Sequence, residues 1–174
     1  MLGWAAVAAQ ASSGSHWHPP HYRVVELGSV VWGKSMDADL AKLLRKHGFQ
    51  IPIQYKNRDG VSVALPDEGE FHPCIMIRGH KVDLPKNGHM AGQPIGLNDR
   101  GDVVGELHDD DQSYYPTLWH GGRSYSLTDY CPKSYEDLFA RAIAINNHGD
   151  VVVCDHPDGV GGRLQVHCWA LIPR

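Results

Sequence analysis

Short runs of alternating apolar and polar residues, separated by Gly-containing turns, occupy most of this chain and predict short β-strands. The same turn motif occurs three times: residues 57–60, 98–101 and 146–149 each consist of Asn, two polar residues and Gly. Asn and Gly adopt positive φ at little cost, which a tight strand-to-strand turn requires. We therefore expect each tetrad to join the two strands of a hairpin.

A second pattern follows the turns along the chain. Residues 71–84 align without a gap on residues 114–127, so that Met76 matches Trp119, and Trp169 takes the Trp119 position in a third copy. The tetrad glycines recur at intervals of roughly 41 and 48 residues, a period typical of propellers and solenoids. The pattern predicts an all-β fold with minor helices and about three four-stranded, β-propeller-like units. A pseudo-threefold, trefoil-like barrel is the alternative.

The chain divides into a lead-in, residues 1–21, and a single β-repeat domain, residues 22–174. Residues 1–11 are small and apolar and end in Ala-Gln-Ala, which resembles a secretory signal without its basic start. We therefore expect a secreted or periplasmic protein, with a cytoplasmic one as the alternative. The pattern contains no apolar run long enough for a transmembrane helix.

The order of the predicted strands leaves one unit incomplete. Residues 22–27 are typical of the last strand of a unit, whereas residues 165–171 are typical of a third strand that no fourth strand follows. An open edge there would expose unpaired backbone amides. We therefore expect the two strands to pair, either within one chain or between two chains as a homodimer.

The connections between units differ in their patterns. Residues 37–47 carry acids in the first turn, leucines on one face and bases in the last turn, and Gly48 follows as a helix end. A shorter helix is expected at residues 134–140. The connection at residues 85–94 is expected to be a loop.

A family resemblance is carried by three segments. They are A-I-A-I-N-N-H-G-D-V-V-V, which ends at Val153, L-N-D-R-G-D-V-V-G, which ends at Gly105, and T-L-W-H-G-G, which ends at Gly122. They are similar to the HAF-type repeat of bacterial extracellular repeat proteins. The His-Ala-Phe triplet of that family is replaced here, for example by Tyr-Pro-Thr ending at Thr117. The resemblance implies a propeller-like array of four-stranded units and brings no catalytic residue with it.

The net charge and the cysteines restrict which binding partners and which cysteine pairings are expected. The formal net charge is −4 and there is no run of Lys or Arg, which argues against binding to nucleic acid. A protein or a carbohydrate remains as the expected partner. A symmetric hairpin would place Cys154 opposite Gln165 and about 10 Å from Cys168, so buried thiols are expected rather than a disulfide. The other two cysteines are Cys74 and Cys131.

Candidate chemistry is concentrated in the polar loops between the second and third strands of each unit. Clustered carboxylates there are the ligands that calcium requires, and nearby histidines could act as acid-base groups. The metal candidates are Asp109, Asp110, Asp111, Asp155 and Asp158, and the ligand-binding candidates are His72, His108 and His120.

The sequence contains no nucleophile-elbow, zinc-protease, phosphate-loop or dinucleotide-binding motif. Trp119 and Trp169 could stack on a sugar, but their shared position in the pattern favours the core. The sequence therefore predicts a non-enzymatic binding or scaffold module without a defined cofactor. The alternative is a hydrolase-type enzyme with a His and carboxylate site on the polar loops.

Overall fold

A computed structural model describes residues 17–31, 33, 35–64, 72–110, 113–131, 140–155 and 165–174. Short β-strands dominate these residues, as predicted, and one α-helix accompanies them. The elements are β1 (Tyr22–Val31), α1 (Met36–Lys46), β2 (Ser62–Val63), β3 (Cys74–Ile77), β4 (His80–Asp83), β5 (Ala91–Leu97), β6 (Val103–His108), β7 (Tyr114–His120), β8 (Arg123–Ser126), a 3-10 turn (Thr128–Tyr130), β9 (Ala140–Ile145), β10 (Val151–Asp155) and β11 (Gln165–Pro173).

The strands form three antiparallel sheets. The short sheet has the order β2-β3-β4, the central sheet β5-β6-β7-β8, and the closing sheet β1-β11-β10-β9. Within the described residues the three hydrogen-bonded ladders are separate and do not join into a closed barrel. The described part of the chain thus forms three open sheets.

The N-terminal strand pairs with the C-terminal strand, as predicted. β1 runs antiparallel to β11 from the pair Tyr22 and Pro173 to the pair Val31 and Gln165. The register shifts once, before Gly28, which has a φ of +106°. Both strands belong to the same chain, so the closing sheet is completed without a second copy.

The predicted turns have one hydrogen-bonding scheme. The Asn98 N–H donates to the Asp102 carbonyl at 3.0 Å, and the Gly101 N–H donates back to the Asn98 carbonyl at 3.3 Å. The tetrads at residues 57–60 and 146–149 repeat both bonds. Tetrads 98–101 and 146–149 join full hairpins, β5 to β6 and β9 to β10, as predicted. The first tetrad has only an isolated bridge before β2.

The side-chain amides of the three turn asparagines also connect separate parts of the chain. The side-chain amide of Asn57 donates to the Asn98 carbonyl at 3.4 Å, and that of Asn98 donates to the Asn146 carbonyl at 3.0 Å. The amide of Asn146 completes the set by donating to the Gln50 carbonyl at 3.4 Å. All three asparagines are buried. We call Asn57, Asn98 and Asn146 the asparagine ring, because together they connect the three sheets.

Three apolar clusters fill the spaces between the elements. One lies between α1 and the closing sheet, one between the central and closing sheets, and one between the short and central sheets. Each contains a leucine from an outer strand or from the position just after one: Leu27 within β1, Leu127 after β8 and Leu84 after β4. Burial of these leucines places the core between sheets rather than within one sheet.

The hairpins β3–β4 and β7–β8 pair in the same register. Met76 faces Lys81 in the first, and Trp119 faces Ser124 in the second. The Leu84 N–H donates to the Pro73 carbonyl at 2.8 Å, as the Leu127 N–H does to the Pro116 carbonyl. The gapless alignment of residues 71–84 and 114–127 therefore describes matched local geometry.

The predicted position of Trp169 is wrong by two residues. Trp119 faces Val103, whereas Leu171 faces Val151, and each valine lies two residues after its turn glycine. Leu171 is thus the counterpart of Trp119, because strand register is counted from the turn and not from the shared tryptophan. Both tryptophans are buried, as predicted, with exposures of 1% and 5%.

The helix prediction at residues 37–47 is confirmed by α1. Gly48 has a φ of +79°, and the Phe49 N–H donates to the Leu44 carbonyl at 2.9 Å, which ends the helix. The second predicted helix lies largely outside the described residues, although its last residue, Ala140, begins β9.

The loop predicted at residues 85–94 is wrong in its second half, because β5 already begins at Ala91. Pro94 lies beside a register shift on β5, which is at the edge of the central sheet, and such positions tolerate a missing N–H.

The prediction that the cysteines are four separate thiols is also wrong. Cys154 faces Cys168 directly across β10 and β11, their Cα atoms are 4.1 Å apart, and the two form a disulfide. The assumed symmetric hairpin would have paired Cys154 with Gln165. The actual register is shifted by three residues, since β11 continues to Pro173 and its pairing with β10 is centred further along the chain.

Trp119→Ala is expected to lower the free energy of unfolding by about 3–5 kcal/mol, because it empties a buried site and removes a donor to the Pro85 carbonyl. Urea unfolding measures the loss. Val24→Ala is the control, since Val24 is 39% exposed. A loss below about 1 kcal/mol for the tryptophan variant would contradict its place in the core.

Asn98→Ala is expected to cost about 2–4 kcal/mol, because it leaves buried backbone groups of the ring without their partners. Asn87→Gly is the control, because Asn87 is exposed in a turn and glycine tolerates its φ of +52°. Equal urea midpoints for the two variants would show that the asparagine ring does not stabilise the fold.

Candidate functional site

Two of the acidic candidates, Asp109 and Asp155, are positioned by different sheets. Both carboxylate oxygens of Asp109 lie 3.1 Å from His89 Nδ1, at the end of the central sheet. Asp155 belongs to the closing sheet and accepts a hydrogen bond from the His167 N–H at 2.6 Å. Asp110 is exposed in the turn after β6. Asp109 and Asp155 thus have separate local environments.

The remaining acidic candidates, Asp111 and Asp158, lie outside the described residues. Among the residues that are described, no three His, Cys, Asp or Glu side chains come close enough to hold a metal ion. The calcium hypothesis therefore has no geometric support from the described carboxylates.

The three histidine candidates occupy different surroundings. His72 is exposed shortly before β3. His108 ends β6 beside the Tyr114 ring, and its Nδ1 is buried without a hydrogen bond. Burial lowers the pKa of His108, with Arg141 adding to the effect and Asp109 opposing it. His120 is the one of the three that hydrogen-bonds a buried carboxylate.

The His120–Asp102 pair is positioned by a turn and a strand end. Asp102 closes the turn before β6, and His120 ends β7, so the central sheet brings the two together. His120 Nδ1 lies 2.5 Å from Asp102 Oδ1. The other carboxylate oxygen accepts from Asn98 at 2.7 Å and Arg100 at 2.9 Å.

The electrostatics of Asp102 follow from this arrangement. Its side chain is 4% exposed, and burial alone would raise its pKa. Hydrogen bonds from His120, Asn98 and Arg100 outweigh burial and hold the pKa of the Asp102 carboxyl below its ordinary value. The buried group is therefore kept as an anion that organises the turn.

Aromatic side chains cover His120. The Trp17 ring stacks on the imidazole at 4.0 Å with an interplanar angle of 25°, and it meets the Tyr125 ring edge-on at 4.8 Å. The Tyr125 hydroxyl donates to the Trp17 carbonyl at 3.3 Å. Asp102, His120, Trp17 and Tyr125 form what we call the His120 cluster, and it fastens the segment before β1 to the central sheet.

Two buried charges missed by sequence reasoning lie between the central and closing sheets. Arg141 Nε on β9 is 3.0 Å from Glu106 Oε2 on β6, although the N–H direction is unsuited to a hydrogen bond. Burial raises the pKa of Glu106, and Arg141 partly offsets that effect. The only available signal was a glutamate inside the apolar strand V-V-G-E-L. Its partner, Arg141, is 35 positions away, and a local sequence pattern cannot predict a contact over that separation.

A Ser–His–Glu arrangement on the closing sheet was also missed. Ser29 Oγ lies 3.0 Å from His167 Nδ1 and 3.3 Å from Nε2, and Glu26 Oε1 lies 3.8 Å from Nε2. The three residues come from β1 and β11, which are at opposite ends of the chain. His167 is 41% exposed and Glu26 is 71% exposed, so the carboxylate orients the imidazole only weakly.

The Asp102→Asn variant tests the electrostatic role of Asp102 through pH. The pKa of Asp102 is lower in the folded state, so its stabilisation is complete above the unfolded-state value of about 3.9 and disappears as pH falls through the folded-state value. The difference in unfolding free energy between wild type and variant should therefore be largest near pH 6 and shrink below about pH 4.

Urea unfolding at several pH values measures this difference. Glu106→Gln is the control with opposite sign, because the raised pKa of Glu106 makes its ionised form less favourable in the fold. A difference for Asp102→Asn that does not change between about pH 3 and pH 6 would contradict the assignment.

No helix in the described part of the chain has the length and apolar character needed to cross a membrane. Comparisons of the chain with protein-family models, with curated proteins and with solved structures found no match.

Proposed function

We propose that this chain is a non-enzymatic β-repeat module that binds or scaffolds a partner molecule. The observation that carries the proposal is that the buried polar side chains of the turns make structural hydrogen bonds. The buried Asp102, together with Asn98 and Asn146, is engaged in turn and inter-sheet hydrogen bonds. Groups that hold a framework together are not available for proton transfer to a substrate.

The proposed architecture is a β-propeller-like array of three units of the HAF type. Three features support it. The turns share one hydrogen-bonding scheme, the asparagine ring connects them in sequence, and a closing leucine fills each space between elements. In this proposal the short sheet is a reduced unit, since β2 has only two residues.

The proposed partner is a protein rather than a carbohydrate. Sugar rings bind to exposed aromatic faces, but Trp119 and Trp169 are buried. Trp17 uses one face of its ring to cover His120. Trp119 and Trp169 therefore stabilise the fold and are not free to stack on a sugar.

Export of the protein is part of the proposal. The Cys154–Cys168 disulfide supports it, because disulfides persist in oxidising compartments and are rare in the cytosol. The apolar residues at the start of the sequence agree with the same compartment.

A hydrolase is the second candidate, and the Ser29–His167 contact is the observation that favours it. A serine hydroxyl within 3.0 Å of an imidazole has the basic geometry of an activated nucleophile. In that mechanism the Ser29 oxygen attacks an ester carbonyl while His167 accepts its proton. The exposed and distant Glu26 makes this candidate weaker than the binding module.

The experiment that separates the two is a hydrolysis assay on ester and glycoside panels, combined with labelling by a fluorophosphonate probe. The binding module is expected to show no turnover above background and no labelled serine. Ser29→Ala and His167→Ala test the triad, and His120→Ala tests the buried pair. Turnover that disappears in Ser29→Ala but persists in His120→Ala would replace the proposed function with the hydrolase.

A further inference from the structure

A groove of about 670 Å³ runs along one side of α1, between the helix and residues 49–53. Ala38 and Ala41 line it from the helix, and the partly buried Phe49 and Ile53 line it from the other side. The helix already buries Met36, Leu40 and Leu44 in the core. The groove is therefore bordered by a second, more exposed helix face.

The two ends of this groove carry opposite charges. Asp37 lies at the start of the helix and Arg45 lies near its end, each four residues from Ala41. Four residues correspond to about one turn, or roughly 6 Å along the axis. The Tyr55 hydroxyl donates to Asp37 Oδ2 at 2.6 Å, which positions the carboxylate at the groove.

This charge arrangement is complementary to itself. When two copies of α1 lie antiparallel about a twofold axis at Ala41, Asp37 of each copy faces Arg45 of the other. The small side chains at the crossing permit close helix approach, and the antiparallel direction also pairs opposite helix dipole ends. A strongly acidic or basic partner would find no surface of a single opposite sign here.

We propose that this groove is a self-association surface and that its occupant is a second copy of this chain, held by an antiparallel contact between the two α1 helices. The contact is separate from the β1–β11 pairing, which each copy completes alone. A dimer formed this way presents two modules back to back. It does not depend on the proposed function, which the hydrolysis assay tests independently.

The test is sedimentation velocity of the full chain over a concentration series, with charge-reversed variants. Arg45→Asp and Asp37→Arg alone are each expected to weaken dimerisation at least about tenfold, because the twofold axis converts two attractive pairs into repulsive ones. Combining the two substitutions restores the opposite charges and should restore the dimer. Added salt should weaken wild type and the combined variant alike.

The matched control is the combined variant Asp39→Arg with Lys46→Asp. It imposes the same unfavourable charges on the helix ends, but both residues line a different groove on the other flank of α1. This control is expected to dimerise like wild type, and circular dichroism checks that all variants remain folded.

Three results would overturn the proposal. One is a wild-type chain that stays monomeric at its highest soluble concentration. Another is a combined Asp37→Arg, Arg45→Asp variant that fails to regain the dimer while remaining folded. The third is a control variant that loses the dimer as fully as Arg45→Asp, since the effect would then come from the helix and not from the groove.

Discussion

The asparagine ring is the interaction on which the rest of this structure depends. Each member holds its own turn through a backbone N–H and a side-chain oxygen, and its amide reaches another part of the chain. Asparagine suits this role because it carries an acceptor and two donors on a short side chain. Since these groups are buried, any that lost its partner would carry the full cost of desolvation.

Charged side chains also stabilise the packing of the sheets, both next to the asparagine ring and further from it. Asp102 accepts a hydrogen bond from the amide of Asn98 and also hydrogen-bonds to His120. The Trp17 ring in turn stacks on the His120 imidazole. Further out, Glu106 and Arg141 join the central and closing sheets in a buried pair. Such a pair is a weak source of net stability, but breaking it would leave a buried charge, which favours one arrangement of the two sheets.

The ends of the chain depend on long-range pairing. β1 is the outer strand of the closing sheet, and the disulfide fixes the register of its neighbour β11 against β10. A disulfide with a sequence separation of 14 is expected to contribute about 3 kcal/mol by restricting the unfolded chain. The disulfide therefore stabilises the β10–β11 pair, and β1 pairs with the β11 edge of that pair.

The sequence by itself determined the local features of this protein. The turn tetrads, α1 with its Gly48 end and the strand character of the domain all follow from residue-level preferences for positive φ, helix ends and alternation. The pairing of β1 with β11 was also predictable, because an open edge is costly. These properties depend on residues that are close in sequence or on one general rule of sheets.

Only the tertiary structure decided which individual side chains of distant segments meet. The disulfide partner of Cys154 and the counterpart of Trp119 both depended on a register that a shift of two or three residues changes completely. The pairs Asp102–His120, Ser29–His167 and Glu106–Arg141 join separate elements, and no local pattern marks them. Local chemistry fixes the turns and strands, whereas strand register and sheet packing decide which of these side chains meet, because both depend on contacts between distant parts of the chain.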